Sequence, residues 1–204
     1  MLSYKTVEPH TLELLRQLME APQLRQSRLV GGTALALQFG HRSSVDLDFF
    51  GNVEASTEEL SQCLGQVGAV TLLGQSKMIK GFAVDGIRID IVNYAYPWLE
   101  GAVVEDGLRL ASPADIAAMK VYAIENRGSR KDFIDMYFLL KHYSLGDILS
   151  FYKLKYPEHS EFAALRSLTY FEDAESFAMP KMHVDFDWEE LKRTIIANVN
   201  NYIH

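Results

Sequence analysis

The stretch RLVGGTALALQFGHRSSVDLDFF, residues 28–50, decides the fold of the amino-terminal part of the chain. It reads as a short strand over 28–31, a Gly-Gly-Thr turn at 31–33 and a helix through about Phe39. Residues 45–50 then alternate apolar and acidic side chains, which is typical of a strand with two different faces. The stretch therefore predicts the beginning of a sheet-containing lobe.

The sheet pattern continues to about residue 110. A helix is predicted over 9–21, and a capping box formed by Ser56 and Glu59 predicts another that runs to about Gln66. Further strands are predicted over 69–73, 77–84 and 87–94. Asp85-Gly86 lies between the last two strands and predicts a hairpin turn.

The pattern becomes helical from Ser112, where Ser112-Pro113 forms a helix start. Helices are predicted from there to about 127, up to about 142, and over 145–155, 158–168 and 187–202. The fold class that follows is α+β, with a mixed-sheet lobe over 1–110 and a helical lobe over 111–204.

Composition narrows the class of protein. The chain has 204 residues, 48% of them hydrophobic, which is enough for a substantial core. It has no apolar run near the ~18 residues that would suggest a membrane span, and no secretory signal is visible. Cys63 is the only cysteine, which excludes an internal disulfide and a cysteine zinc site. A cytoplasmic protein without a membrane partner is expected.

Charge is segregated along the chain. The formal net charge of −7 argues against a uniformly basic protein that coats nucleic acid. Residues 120–155 nevertheless contain seven Lys/Arg against four Asp/Glu, and residues 172–190 contain seven acids against one Lys. Both clusters could be solvated helix faces, or the acidic segment could fold back over the basic one.

Asp46 and Asp48 form the first candidate site. Residues i and i+2 of a strand point to the same face, so two carboxylates would lie side by side. A divalent cation offsets their repulsion, and carboxylate oxygens suit Mg²⁺ or Mn²⁺. Asp90 lies in a very apolar strand and could bring a third carboxylate. The alternatives are a solvated edge strand for the pair and a salt bridge to Arg88 for Asp90.

Gly31, Gly32 and Thr33 form a candidate phosphate site. Backbone N–H groups at a helix start bind anions, and glycine lets a phosphate approach closely. Thr33 could add a hydroxyl. A phosphate site followed by an acid pair and a third acid is an arrangement that holds a nucleoside triphosphate against bound metal.

The helical lobe adds a candidate group of charged residues. Lys120 and Arg127 share a helix face and could contact triphosphate oxygens. Asp132 or Asp135 could position these cations or act as a base. Alternatively, Lys131 and Asp135 form an exposed i,i+4 pair, and Asp132 caps its own helix.

Four blocks in this order resemble the AbiEii/AbiGii-type nucleotidyltransferases, toxins of bacterial toxin–antitoxin and abortive-infection systems within the DNA-polymerase-beta-like superfamily. The blocks are Gly31-Gly32-Thr33 with Asp46-Leu47-Asp48, Lys80 with Asp85, Asp115-Ile116 with Lys120, Ala123 and Arg127, and Lys131-Asp132-Phe133-Ile134-Asp135. Many members of the superfamily carry Gly-Ser where this chain has Gly-Gly, so Thr33 would have to supply the hydroxyl.

The resemblance implies transfer of a nucleoside monophosphate from an NTP to an acceptor, tRNA in characterised relatives, and an antitoxin partner. Our hypothesis is that Asp46 and Asp48 bind Mg²⁺, while Asp90 helps to hold a second metal or accepts the proton of the attacking hydroxyl. We expect phosphates to be held by Gly31, Gly32, Thr33, Lys80 and Lys120. We expect a supporting shell formed by Arg127, Lys131, Asp132 and Asp135. A non-catalytic nucleotide-binding protein and a small-molecule transferase are the alternatives, and the oligomeric state stays open.

Overall fold

The computed structural model describes all residues, Met1–His204, and divides the chain into two compact units. We call residues Met1–Ala95 with Ala102–Ala111 the sheet unit. We call residues Tyr96–Gly101 with Ser112–His204 the helical unit. None of the helices combines the length and the apolar character that a membrane-spanning segment requires.

The sheet unit contains a seven-stranded mixed sheet in the order β3-β4-β5-β2-β1-β7-β6. Its strands are β1 (Ser27–Leu29), β2 (Leu47–Gly51), β3 (Val70–Gln75), β4 (Ile79–Val84), β5 (Ile87–Asn93), β6 (Val103–Glu105) and β7 (Leu108–Leu110). Its helices are α1 (Pro9–Glu20), α2 (Gly31–Phe39) and α3 (Thr57–Leu64), with single 3₁₀ turns at Tyr4–Thr6 and Pro22–Leu24. The β2–β5 and β1–β7 pairs are parallel, and the other neighbours are antiparallel.

Two hairpins have turns of the same chemistry. Asp85 and Gly86 join β4 to β5 with φ values of 50° and 83°, which confirms the predicted hairpin. Asp106 and Gly107 join β6 to β7 with φ values of 51° and 79°. The second hairpin was not predicted, although its Asp-Gly pair is the signal that located the first.

The helical unit consists of helices joined by short connections. They are α4 (Pro113–Asn126), α5 (Arg130–Leu139), α6 (Leu145–Lys155), α7 (Glu161–Leu168), α8 (Glu172–Glu175) and α9 (Trp188–Ile203). The short α8 was not predicted, and α7 begins later than expected because Ser160 caps it by accepting the Ala163 N–H. The mixed sheet and the helices confirm the α+β class.

A buried ion pair joins segment 96–101 to the helices. Lys155 and Asp115 are both fully buried, and Lys155 Nζ lies 2.7 Å from Asp115 Oδ1. The same ammonium donates to the Pro97 carbonyl at 2.5 Å. Asp115 in turn accepts the Leu99 N–H at 2.9 Å and the Ser112 hydroxyl at 2.9 Å. Asp115, which belongs to one of the four resemblance blocks, therefore anchors segment 96–101.

Candidate active site

The three predicted acids lie on adjacent strands of the sheet unit. Asp48 on β2 and Asp90 on β5 are direct partners in the parallel ladder. Asp46 stands one residue before β2, and the burial pattern alternates from there, with Leu47 and Phe49 buried while both acids are half-buried. Side chains two residues apart in a strand share a face, so Asp46, Asp48 and Asp90 belong to one face of the sheet. We call it the acid face.

A glycine lies beside each of the two paired acids. A Cβ added to Gly31 would lie 2.7 Å from Asp48 Oδ2, and one added to Gly81 would lie 3.0 Å from Asp90 Oδ1. Gly81 is also the ladder partner of Asp90 on β4. The two glycines therefore leave the carboxylates space that any side chain would fill.

The glycine pair at the start of α2 is required for two separate reasons. Gly31 has a φ of +67°, a left-handed conformation that side chains disfavour. A Cβ at Gly32 would lie 2.3 Å from Nη2 of Arg42. The Val30 N–H donates to the Asp48 carbonyl at 2.8 Å, so the turn is fixed to the strand that carries the acids.

Arg42 is a residue that the sequence analysis missed. Its side chain is almost fully buried, at 1% exposure, and its Nη1 donates to the Ser43 carbonyl at 3.0 Å. It places a guanidinium charge next to the backbone of Gly32. The second glycine of the pair was the available signal, because a glycine that needs no left-handed φ implies a close neighbour.

The hydroxyl of Thr33 forms hydrogen bonds within the chain and is not exposed. It is buried, and its Oγ1 donates to the Asp46 carbonyl in a short hydrogen bond and lies 2.8 Å from Ser44 Oγ. The hydroxyl expected to face a phosphate therefore holds the loop that leads into β2. Thr33 is a positioning residue for Asp46.

Asp90 forms the salt bridge that was the alternative to its metal role. Arg88 Nε lies 3.0 Å from Asp90 Oδ2, and Arg88 Nη2 lies 3.3 Å from Oδ1. In this state no group of three or more acidic, histidine or cysteine side chains stands ready as a metal centre. The acids share a face, but Arg88 engages the third one.

Lys80 does not join the acid face, which corrects its prediction as a phosphate ligand. Its ladder partner on β5 is Ile91, a neighbour of Asp90 on the opposite face. Its Nζ donates to the Ala55 carbonyl at 2.6 Å. The physical reason is strand alternation, because Gly81, not Lys80, stands opposite Asp90.

The helical unit brings three of its predicted residues together. Lys120 Nζ lies 2.8 Å from Asp132 Oδ1 and 2.6 Å from Asp135 Oδ2, and all three side chains are at most 8% exposed. Asp135 is therefore a buried partner of Lys120, and its side chain is not exposed as the alternative required. Lys120 is held between two carboxylates within its own unit.

Asp132 also caps α5, as the alternative proposed. Its Oδ2 accepts the Ser129 N–H at 3.3 Å and the Ser129 hydroxyl at 2.6 Å. Burial of the carboxyl favours its neutral form, but Lys120, Ser129 and Arg127 together outweigh burial and hold the pKa of Asp132 below its usual value. Asp132 is thus an anion that links the helix start to Lys120.

The remaining two predicted residues lie at the surface. Arg127 follows the end of α4 with its side chain 71% exposed, and its Nε lies 3.5 Å from Asp132 Oδ2. Lys131, in the first turn of α5, is also exposed. Their exposure suits contact with a partner and excludes a role in the core.

Substituting Gly31 with alanine tests the clearance around Asp48. A left-handed backbone costs about 1–2 kcal/mol with a side chain, and the new Cβ would displace the Asp48 carboxylate. A displacement near 1 Å is expected to lower transfer activity about 100-fold. Gly86→Ala is the matched control, because Gly86 has a φ of +83° but nothing within 4 Å. Activity lost equally in both variants would contradict the assignment.

Substituting Asp132 with asparagine is expected to lower the free energy of unfolding by about 1.5–3 kcal/mol, because a charged hydrogen bond to Lys120 is lost. Asp147→Asn is the control, since Asp147 forms the same capping box at an exposed site and should cost about 1 kcal/mol. Because folding lowers the pKa of Asp132, the stabilisation from its ionised carboxylate is fully present above the pKa of the unfolded chain, about 3.9. That stabilisation is lost as the pH falls through the pKa of the folded protein. Urea unfolding of wild type and D132N should therefore converge in acid, and a constant difference down to that pH would contradict the prediction.

The acid face fits a hard divalent cation in its donor chemistry. Asp48 and Asp90 are carboxylates in register on neighbouring strands, Asp46 adds a third, and glycine clears the space beside two of them. Oxygen ligands of this kind suit Mg²⁺ or Mn²⁺. The residues that would hold such an ion are therefore Asp46 and Asp48, with Asp90, which Arg88 engages, as the third acid.

Comparisons with known proteins bear on the family and the fold. The family model for the nucleotidyl transferase AbiEii toxin, type IV toxin–antitoxin system, matches residues 13–200. An uncharacterized protein of Aquifex aeolicus (strain VF5) is 37% identical over 183 residues, 86% of this chain and 87% of that protein. The nucleotidyltransferase toxin MenT4 of Mycobacterium tuberculosis H37Rv has a TM-score of 0.61 at 12% identity, over 94% of this chain and 83% of its own.

The antibiotic-resistance factor ANT(2'')-Ia has a TM-score of 0.57 at 15% identity, over 76% of this chain and 94% of its own. At such identities the solved structures show the fold alone, which is that of nucleotidyltransferases. The family follows from the match over most of the sequence. The chain belongs to the AbiEii family of nucleotidyltransferase toxins, and it is a nucleotidyltransferase.

Proposed function

We propose that the chain transfers a nucleoside monophosphate from an NTP to the 3′ end of a tRNA, in a reaction that depends on a divalent cation at the acid face. The observation that carries the proposal is the register of Asp48 and Asp90 on adjacent parallel strands, with Gly31 and Gly81 clearing the space beside them. This is a cluster of hard oxygen donors next to the glycine start of a helix.

Asp46 and Asp48 are the proposed ligands of Mg²⁺ or Mn²⁺, and Asp90 is the third acid. A cation bound there would supply positive charge to the triphosphate and to the charge that develops during transfer. Thr33 supports this arrangement by bonding the Asp46 carbonyl, which fixes the backbone from which that carboxylate projects.

The phosphate groups are proposed to lie against Gly31 and Gly32. The N–H groups at the start of α2 have no partner within the helix and suit an anion. The buried guanidinium of Arg42 adds positive charge next to Gly32 without reaching the surface. The turn therefore combines backbone donors with a fixed charge beneath them.

In the transfer, a hydroxyl oxygen of the acceptor forms a bond to the α-phosphorus. The bond from that phosphorus to the oxygen bridging to the β-phosphorus breaks, and pyrophosphate leaves. The proton of that hydroxyl is proposed to pass to an oxygen of Asp90, a carboxylate that also takes part in binding the cation. Lys120 is held by Asp132 and Asp135, and its contact with phosphate stays a prediction.

The proposal of an RNA acceptor rests on the family and on local charge. Among the Lys/Arg of residues 120–155, Lys120 and Lys155 are buried in ion pairs, whereas the exposed cations are Arg127, Lys131, Lys141 and Lys153. Exposed cations of this kind bind phosphate backbones, and binding through them weakens steeply as salt rises. The type IV toxin–antitoxin description of the family also leads us to propose a cognate antitoxin protein as partner.

The experiment uses purified protein with total tRNA, Mg²⁺ and each of the four NTPs in turn. Label at the α-phosphate should appear in the RNA, whereas label at the γ-phosphate should leave as pyrophosphate. Arg127→Gln/Lys131→Gln should reduce RNA labelling and its salt dependence. Nucleotide binding without transfer to any acceptor would contradict the proposal, and transfer to a small molecule but not to RNA would replace the acceptor.

A further inference from the structure

Arg88 forms a two-pronged contact with Asp90 in the middle of the acid face. Its Nε and Nη2 each reach a different oxygen of the carboxylate, at 3.0 Å and 3.3 Å. The Asp90 side chain is 20% exposed, while that of Arg88 is 58% exposed. The carboxylate is therefore fixed in the sheet, and the guanidinium approaches it from solvent.

Arg88 also lies next to the other two acids. Asp48 is the ladder partner of Asp90, and Leu47 is the partner of Ile89. Continuing this register by one residue sets Asp46 opposite Arg88. The hydrogen bond and charge of Asp90 raise the pKa of Arg88 above its usual value, and Asp46 and Asp48 add to that effect. One guanidinium thus faces three carboxylates.

We propose that Arg88 competes with the divalent cation for Asp90, and that the guanidinium released on cation binding takes up the polyphosphate of the NTP. The proposal rests on the cation dependence proposed above. It assigns to Arg88 two successive anionic partners, first a carboxylate of its own strand and then a phosphate of the substrate.

The exposure of Arg88 makes the exchange feasible. An ion pair with a mostly exposed guanidinium contributes little to stability, so a dication can replace it at small cost. A carboxylate whose oxygens are engaged by two N–H donors has fewer lone pairs directed at a metal. Without Arg88, Asp90 would be available to the cation from the start.

The released guanidinium has a suitable second partner. Arginine binds phosphate as well as carboxylate through two parallel hydrogen bonds. A triphosphate at the acid face would be within the same region as the side chain, which occupies the exposed surface of β5. The triphosphate would then neutralise the charge of the Arg88 guanidinium, which the cation has displaced from Asp90.

The test measures Mn²⁺ binding to the whole protein by the loss of free Mn²⁺ signal in electron paramagnetic resonance, without nucleotide. Arg88→Gln is expected to bind Mn²⁺ about three- to tenfold more tightly than wild type. Arg25→Gln is the control, because it removes the same charge from an exposed site of the same unit and should not change the affinity. Arg88→Lys keeps the charge and should stay close to wild type.

The second readout is the affinity for a non-hydrolysable α,β-methylene NTP at saturating Mn²⁺. R88Q is expected to bind it about tenfold more weakly, because a charged contact to phosphate is lost. Opposite changes in the two affinities support the proposal, whereas weakening of both, or an unchanged Mn²⁺ affinity, overturns it. If wild type and D48N bind Mn²⁺ equally, the cation site of the proposed function fails as well. If D48N loses the saturable Mn²⁺ binding of wild type but R88Q binds Mn²⁺ no more tightly than wild type, only the inference about Arg88 fails.

Discussion

Asp48→Asn is expected to lower nucleotidyl transfer on the order of 10³-fold while the protein stays folded. The asparagine keeps the shape of the side chain but loses the charge that would hold a cation opposite Asp90. Because one of three neighbouring negative charges disappears, the free energy of unfolding should stay the same or rise slightly. The rate of label transfer and the urea midpoint, measured on the same preparation, check both statements.

Glu54→Gln is the matched control for Asp48→Asn. It makes the same change from carboxylate to amide at an exposed position of the sheet unit. Its transfer rate should equal that of wild type. A D48N protein with more than about a tenth of wild-type activity would contradict the role of Asp48, since loss of a ligand to an essential charge costs more than that.

Lys155→Met is expected to lower the free energy of unfolding by about 3–5 kcal/mol. Methionine fills similar space but leaves the fully buried Asp115 carboxylate without its ammonium partner, and the Pro97 carbonyl loses a donor. Urea unfolding measures the change. The double variant Asp115→Asn/Lys155→Met should lose less than the sum of the two single losses, because no lone buried charge remains.

Lys153→Met provides the control for this prediction. Lys153 lies on the same helix, α6, but is exposed, so its replacement should change stability by no more than about 0.5 kcal/mol. A loss below 1 kcal/mol in K155M would show that water reaches Asp115 and would contradict the burial of the pair.

Local signals predicted most of the fold. Ser56 and Ser112 cap α3 and α4 as the sequence predicted, and Asp85-Gly86 forms the expected turn. These features depend on residues within a few positions of one another. The hairpin of β6 and β7 carried the same Asp-Gly signal and could have been predicted by the same rule.

The acid face was only partly predictable. A two-residue turn at Asp85-Gly86 pairs Val84 with Ile87, and the ladder then sets Gly81 opposite Asp90. The position of the turn is therefore enough to predict that Lys80 points away from the acids. The engagement of Asp90 by Arg88 was anticipated from their spacing but could not be decided without the geometry.

Other features depend on tertiary packing that no local pattern reports. Arg42 is buried beneath Gly32 although its residue type is usually exposed. Lys155 meets Asp115 from a different helix, forty positions along the chain. Such pairs form because two elements fold against each other, and periodicity within one element does not identify the partner.

The metal dependence of transfer by Asp48→Cys tests whether Asp48 holds the cation. A thiolate is a softer ligand than a carboxylate, so it disfavours Mg²⁺ and accepts thiophilic ions. We expect D48C to be inactive with Mg²⁺ and to regain label transfer when Mn²⁺ or Cd²⁺ replaces it, whereas wild type is active with Mg²⁺. D48C that transfers label with Mg²⁺ as fast as wild type would contradict the claim that Asp48 holds the cation.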